Sequence, residues 1–164
     1  MADLRRDPLM GAPRPLARAG AVAAVVLVAD QVTKALVRGS IGTLQTRHLL
    51  PGVTLVHEQN TGVAFSLLTG SEAGVIVITL VVVSAVLAYF VRQRERRWIW
   101  LACGLIVGGA LGNLVDRVRA GSVTDFVKLP DWPAFNVADT AITIGVLTLF
   151  LAVGLGSGAA ARTA

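Results

Sequence analysis

The chain has 164 residues, of which 54% are hydrophobic and only 15% charged, against about 25% charged in an average soluble domain. Fifteen bases and ten acids leave a net charge of +5, but long charge-free stretches separate the bases, unlike the clustered basic face of a nucleic-acid module. These proportions exclude a soluble enzyme, a disordered tail and a nucleic-acid binder, and leave an integral membrane protein of one domain.

Residues 1–15 form a basic extension with Arg5, Arg6 and Arg14. The first apolar segment, Leu16 to Val37, opens near Arg18 and is interrupted by Asp30 and Lys34. Bases before a short apolar run also describe a cleavable signal peptide. Leu27 and Ala29 make a poor cleavage site, and Asp7-Pro8 follows the Arg5-Arg6 pair, so an uncleaved helix is the better reading. Leu44 to Gln59 places strand-like residues around Pro51-Gly52, a tight-turn dipeptide. A short hairpin on the outer membrane surface is expected there, with an irregular loop as the alternative.

Ala73 to Val91 has no charge over nineteen residues. As a helix it reaches ~28 Å, close to the ~30 Å hydrocarbon thickness. Trp98 to Val115 follows, with Asn113 its one strongly polar member, and Thr140 to Gly156 is the fourth segment. All four read as helices, because open strands cannot span lipid with unpaired backbone groups. The expected fold is an all-α integral membrane protein over residues 16–156. It has four transmembrane helices, a small outer-face β-sheet between helices one and two, and a flexible tail over 157–164.

Arg5, Arg6, Arg14 and Arg18 precede the first helix, and Arg92, Arg94, Arg96 and Arg97 lie between the second and third. The positive-inside rule makes that side cytoplasmic. Both termini are then inside, and residues 39–72 and 116–138 face outward. Cys103 is the one cysteine and sits among apolar residues, where a thiol is usually inert. His48 and His57 lack the spacing of a zinc protease.

The few polar residues within this apolar frame then become candidates, since ionisable groups in spanning helices are costly. Asp30 and Lys34 stand four apart on one helical face. They read either as a self-neutralising pair with Lys34 reaching toward the interface or as a direct participant through Asp30, with Gln31 and Thr33 adding hydrogen-bonding groups. Asn113, Asp116 and Arg117 can also share one face, behind the small-residue stretch Gly108-Gly109-Ala110-Leu111-Gly112. The ordinary alternative is an interfacial Asp116–Arg117 pair.

Asp125 lies in an apolar outer segment, and Asp139 stands fourteen residues on at the start of the fourth helix. The intervening Pro130, Trp132 and Pro133 allow a loop that brings both carboxylates together. Asp139 or Asn136 could instead serve as a helix cap. Two facing carboxylates push their proton affinities apart. One can then activate water while the other protonates the reacting group.

At these residues the sequence resembles lipoprotein signal peptidase, the bacterial signal peptidase II family. The resemblance is carried by Asp30-Gln31-Val32-Thr33-Lys34, Asn60-Thr61-Gly62-Val63-Ala64-Phe65 and Gly109-Ala110-Leu111-Gly112-Asn113-Leu114-Val115-Asp116-Arg117. It continues in Val123-Thr124-Asp125-Phe126 and Trp132-Pro133-Ala134-Phe135-Asn136-Val137-Ala138-Asp139. It implies a membrane-embedded aspartic endopeptidase that removes the signal peptide from diacylglyceryl-modified prolipoproteins, with Asp125 and Asp139 as the catalytic pair. Asn60, Asn113, Arg117 and Asn136 would bind substrate or support the pair. Asp30 and Lys34 would hold supporting polar positions, and Asp116 would orient its neighbours.

No metal or organic cofactor is implied. The expected partners are lipid-modified prolipoproteins and membrane lipids, with no nucleic acid. The expected location is the bacterial inner membrane with the active site at the outer face, and globomycin would inhibit. Thr33 and Thr140 stand where many members have Ser, and both keep the hydroxyl.

A transporter is the main rival, since intramembrane Asp, Asn and Arg also build ion pathways. It predicts acids spread through the membrane depth and often an inverted repeat, and neither is visible. A metal-dependent hydrolase lacks further ligands beside Asp125 and Asp139. Ser/Lys proteolysis lacks a partnered Ser for Lys34 or Lys128.

Overall fold

A computed structural model describes residues 15–43, 45–62, 71–94 and 96–160. Arg5, Arg6, Arg14 and the Val63-Ala64-Phe65 part of one motif lie outside the described residues. Among the described residues the chain order is α1 (Pro15–Ser40), β1 (Arg47–Leu50), β2 (Val53–Asn60), α2 (Glu72–Gln93), α3 (Ile99–Ala120), β3 (Val123–Lys128) and α4 (Val137–Ala160). α1 begins on proline, whose fixed φ and missing N–H suit a first helical position. Ser71 caps α2 by accepting from Gly74 N at 3.2 Å. α3 ends on Gly121, in the left-handed region at φ 71°, with its N–H on Arg117 O at 2.9 Å.

α1, α2 and α3 are each long and apolar enough to cross a membrane, and the stretch Val137–Val153 of α4 is apolar but shorter. The helix ends extend past the apolar segments read from sequence. α3 carries on from Val115 through Asp116, Arg117 and Arg119, because its polar last turns remain helical up to the Gly121 cap. The helical backbone of α4 runs to Ala160, so the expected tail from residue 157 begins inside a helix.

Pro51-Gly52 turns the β1–β2 hairpin, with Gly52 at φ +80°. The sheet is antiparallel in the order β1-β2-β3. The small sheet expected between the first two helices is present, and a third strand joins it. β2 would otherwise leave a row of backbone groups unpaired. β3, which comes after α3, fills that edge and sets Glu58 opposite Asp125.

α3 is the centre of the bundle, packed by α1 on one side and α4 on another, with α2 also against it. Close approach is built into its small residues. A Cβ on Gly108 would meet Ala23 O at 2.7 Å, and one on Gly109 would meet Ala138 O at 2.5 Å. At the end bearing the arginines, Ala19, Phe90, Ile99 and Cys103 pack together, and the Arg18 guanidinium lies over the Trp100 ring. At the other end Val37, Ile41 and Phe126 join α1 to the sheet.

Burial is inverted relative to a water-soluble bundle. Leu16, Val28 and Leu36 on α1, Val81 on α2 and Phe150 on α4 are exposed, whereas Asp30 and Lys34 are fully buried. Such an apolar outer surface suits hydrocarbon rather than water.

Candidate active site

The buried polar groups meet where the sheet covers the ends of α1 and α3 and the start of α4. Asp125 lies on β3 and is buried. Its Oδ2 accepts from Asn60 Nδ2 at 2.9 Å and its Oδ1 from Asn136 Nδ2 at 2.7 Å. Asp139, in the first turn of α4, accepts from Asn113 Nδ2 at 2.8 Å on Oδ1 and from Asn136 N at 3.1 Å on Oδ2. Asn136 therefore bonds both carboxylates, and it links the two residues that sequence spacing only suggested could meet.

Asn136 is also where capping and site geometry coincide. Its Oδ1 accepts from Asp139 N at 2.9 Å while Asp139 Oδ2 accepts from Asn136 N. This reciprocal pair is a capping box with Asn and Asp in the usual Ser/Thr and Glu places. Both cap readings are thus realised, and Asp139 Oδ1 is left for Asn113. A further helix-start amide, Ala138 N, donates to Asp30 Oδ1 at 2.9 Å.

Two of the amides have an unambiguous orientation. Asn136 Oδ1 faces a backbone N–H, so its Nδ2 faces Asp125. Asn60 Oδ1 accepts from Gly62 N at 2.8 Å, so its Nδ2 also faces Asp125. Gly62 stands at φ +72°, a conformation that favours glycine and closes this short turn.

Beneath the carboxylates lies a buried ionic cluster. Lys34 Nζ is 2.9 Å from Asp30 Oδ2 and 3.2 Å from Asp116 Oδ2, and it donates to Asn113 Oδ1 at 2.9 Å. Lys34 therefore points into the bundle and does not reach toward the interface. Asp116 turns away from a simple pairing with its neighbour Arg117. It accepts from Thr124 N at 3.1 Å and Gln31 Nε2 at 3.1 Å, and Arg38 Nη1 lies 3.7 Å away. Arg117 reaches back to Asn113 O at 3.4 Å.

All nine candidate residues thus converge, and three further participants join them. Gln31 bridges Asp30, Asp116 and Gly112 O, and Arg38 donates to Thr124 Oγ1 at 3.1 Å. Asp30, Lys34 and Arg38 recur every four residues. That spacing puts Arg38 on the same helical face and was the available signal for it. Thr124 stands in the Val123-Thr124-Asp125-Phe126 block of the resemblance, and its backbone N–H is what Asp116 holds.

Burial pushes the Asp125 carboxyl up to about 6, and the nearby charge of Asp139 adds to this. The hydrogen bonds from Asn60 and Asn136 and the charge of Lys34 act in the opposite direction. Two openings flank the carboxylates. A polar cleft of ≈ 350 Å³ is lined by Glu58, Asn60, Asp125, Lys128 and Pro133. An apolar groove of ≈ 180 Å³ between α2, α3 and α4 is lined by Ile78, Val82, Ile106 and Ile142 and ends at Asn113 and Arg117. Among the described residues no group of His, Cys, Asp and Glu is arranged to hold a metal ion.

Fold and site together define a multi-pass membrane protein with an acid pair set into one end of its helix bundle. The chain belongs to the signal peptidase (SPase) II family, a peptidase family whose model matches residues 22–155. It is 40% identical over 131 residues to a lipoprotein signal peptidase of Halothermothrix orenii, covering 79% of this chain and 90% of that one. It is 43% identical over 141 residues to the lipoprotein signal peptidase of Pseudomonas fluorescens, covering 77% and 81%. A solved bacterial membrane enzyme structure, determined by the in meso method at 2.3 Å resolution, superposes with a TM-score of 0.79 at 28% identity. That match covers 87% of this chain and 90% of the other.

Proposed function

We propose that this protein is an aspartic endopeptidase of the bacterial inner membrane that removes signal peptides from diacylglyceryl-modified prolipoproteins, cutting before the lipidated cysteine. The observation that carries the acid-pair mechanism is the Asn136 side chain, which ties Asp125 on the sheet to Asp139 on α4. Membership of the signal peptidase II family and the names of the relatives support the substrate class.

In this reading the pair holds one proton. Asp139 stands in the first turn of α4, where the helix N-terminus favours a negative charge. Asp125 is the buried member with the raised proton affinity. Asp139 takes a proton from water as the water oxygen attacks the scissile carbonyl, while Asp125 donates a hydrogen bond to the carbonyl oxygen. When the C–N bond breaks, the proton gained by Asp139 passes to the leaving amine. The pair titrates as a unit, so the two roles belong to a shared proton.

Asn60 and Asn136 hold Asp125, Asn113 holds Asp139, and Arg117 at the end of the apolar groove faces the substrate. Asp30, Lys34 and Asp116 support them from below. The apolar groove suits the lipid-embedded part of a substrate, and the polar cleft suits the chain that follows the cut. The arginines Arg18, Arg92, Arg94, Arg96 and Arg97 lie at the helix ends opposite the site. Positive-inside orientation therefore sets both termini in the cytoplasm and the acid pair at the outer face. No cofactor is assigned, residues 16–156 form the peptidase domain, and globomycin is expected to inhibit.

The test is cleavage of a purified diacylated prolipoprotein by the purified chain in detergent micelles containing a metal chelator. Mass spectrometry should show a product beginning at the lipidated cysteine. No cleavage, or cleavage elsewhere, would overturn the proposal.

A further inference from the structure

We infer that Lys34 is a positioning residue for the acid pair, one whose ammonium fixes the side-chain amide of Asn113 so that its N–H faces Asp139. The inference rests on the reading of Asp125 and Asp139 as the catalytic pair. An ammonium has three N–H donors and no acceptor. The three oxygens around Lys34 Nζ, from Asp30, Asp116 and Asn113, use all of them.

An amide NH2 cannot face such a group, so Asn113 presents its oxygen to Lys34. Asn136 Nδ2, 3.2 Å from the same oxygen, requires the same orientation. Asn113 Nδ2 is thereby directed to Asp139 Oδ1 at 2.8 Å. Without the ammonium, only the longer Asn136 Nδ2 contact at 3.2 Å would oppose a flip that sets an oxygen against the Asp139 carboxylate.

The surrounding charges hold the ammonium in place. Lys34 and Asp30 are each 0% exposed, and an unpaired charge there would be strongly disfavoured. Asp30 and Asp116 balance Lys34 together with Arg38 on the outer side of Asp116. Asp30 also accepts from Ala138 N, so the same aspartate ties Lys34 to the helix that carries Asp139. Lys34 lines neither the polar cleft nor the apolar groove, whereas Asn113 lines the groove. Its effect on the reaction therefore runs through Asn113.

The test uses the full chain in detergent with a synthetic diacylated prolipopeptide, comparing Lys34→Met, Asn113→Leu and the two combined. Lys34→Met should lower kcat on the order of 100-fold, the scale of a small misplacement of a catalytic group. Its KM should stay within about 3-fold of the parent, because no substrate contact is lost. The combined variant should be no slower than Asn113→Leu alone within about 3-fold, since the second change breaks a link already broken.

Parental kcat in either single variant would overturn the inference, as would losses that multiply in the combined variant. Should Lys34→Met fail to fold, Asp30→Asn with Lys34→Met leaves Asp116 balanced by Arg38 and carries the same expectations. Asp125→Asn and Asp139→Asn run alongside. Activity in those two would remove the underlying catalytic reading, while their inactivity with an unaffected Lys34→Met would remove the role of Lys34 alone.

Discussion

Gly112 is the point where α3 presses hardest on the ionic cluster, and Gly112→Ala probes it directly. The added Cβ would stand 2.6 Å from Asp30 Oδ2, 3.1 Å from Asp30 Cγ and 3.4 Å from Ala138 Cβ. A flexible side chain could swing away, but Asp30 is held by Lys34, Gln31 and Ala138 N. Either Asp30 gives up a charge-assisted hydrogen bond or α1 and α3 separate. Overpacking together with loss of such a bond costs about 2–4 kcal/mol, roughly 10 °C in Tm for a chain of this size.

Because Asp30 anchors the first turn of α4, which carries Asp139, activity should fall as well, on the order of 100-fold for a shift near 1 Å. Gly20→Ala is the control. Nothing lies within 4 Å of its added Cβ, and alanine in a helix is favoured over glycine by about 1 kcal/mol. The assay is thermal unfolding in detergent alongside cleavage of a diacylated prolipopeptide. If Gly112→Ala matched Gly20→Ala in both Tm and kcat, the packing of Asp30 against α3 would not hold the site together.

Further outcomes follow from the same geometry. Asp125 must keep its proton in the proposed reaction, so kcat/KM should be sustained below its raised pKa of about 6 and decline as pH rises through it. The Asn60 hydrogen bond holds that value down, so Asn60→Ala should move the decline to higher pH. A pH–rate profile that moves lower, or stays put, contradicts the assignment. Asn136→Ala should lose the helix cap, about 1 kcal/mol, together with activity. Asn136→Ser should recover much of the stability without the activity, because a hydroxyl can cap α4 but offers no amide to Asp125. Differential unfolding and a cleavage assay separate the two effects. Cleavage should also proceed in detergent with chelator and without any gradient; a strict need for sealed vesicles would favour a transporter.

The helices were legible because an apolar run long enough to span a bilayer has few other uses, and Ala73 to Val91 lies within the observed α2. The hairpin at Pro51-Gly52 was legible from its turn chemistry. β3 was not, since Val123-Thr124-Asp125-Phe126 is too short to show alternation and its strand character comes from the open edge of β2. The candidate residues stood out because charge is scarce in this chain. Their connections were hidden, as they depend on which way each side chain turns. Lys34 could reach toward the interface or inward by sequence alone, and only the neighbouring Asp116 and Asn113 decide that it points inward. Asp139 offered a choice between cap and acid, and the capping box shows that one carboxylate can be placed for both.

In the proposed reaction Asp125 and Asp139 act as one catalytic pair, and the mass of a diacylated prolipoprotein incubated with purified Asp125→Asn and Asp139→Asn tests this, each variant confirmed to be folded and membrane-inserted. Uncut substrate with both variants, beside complete processing by the parent chain, is the expected result. Cleavage before the lipidated cysteine at the parental rate by either variant would contradict it.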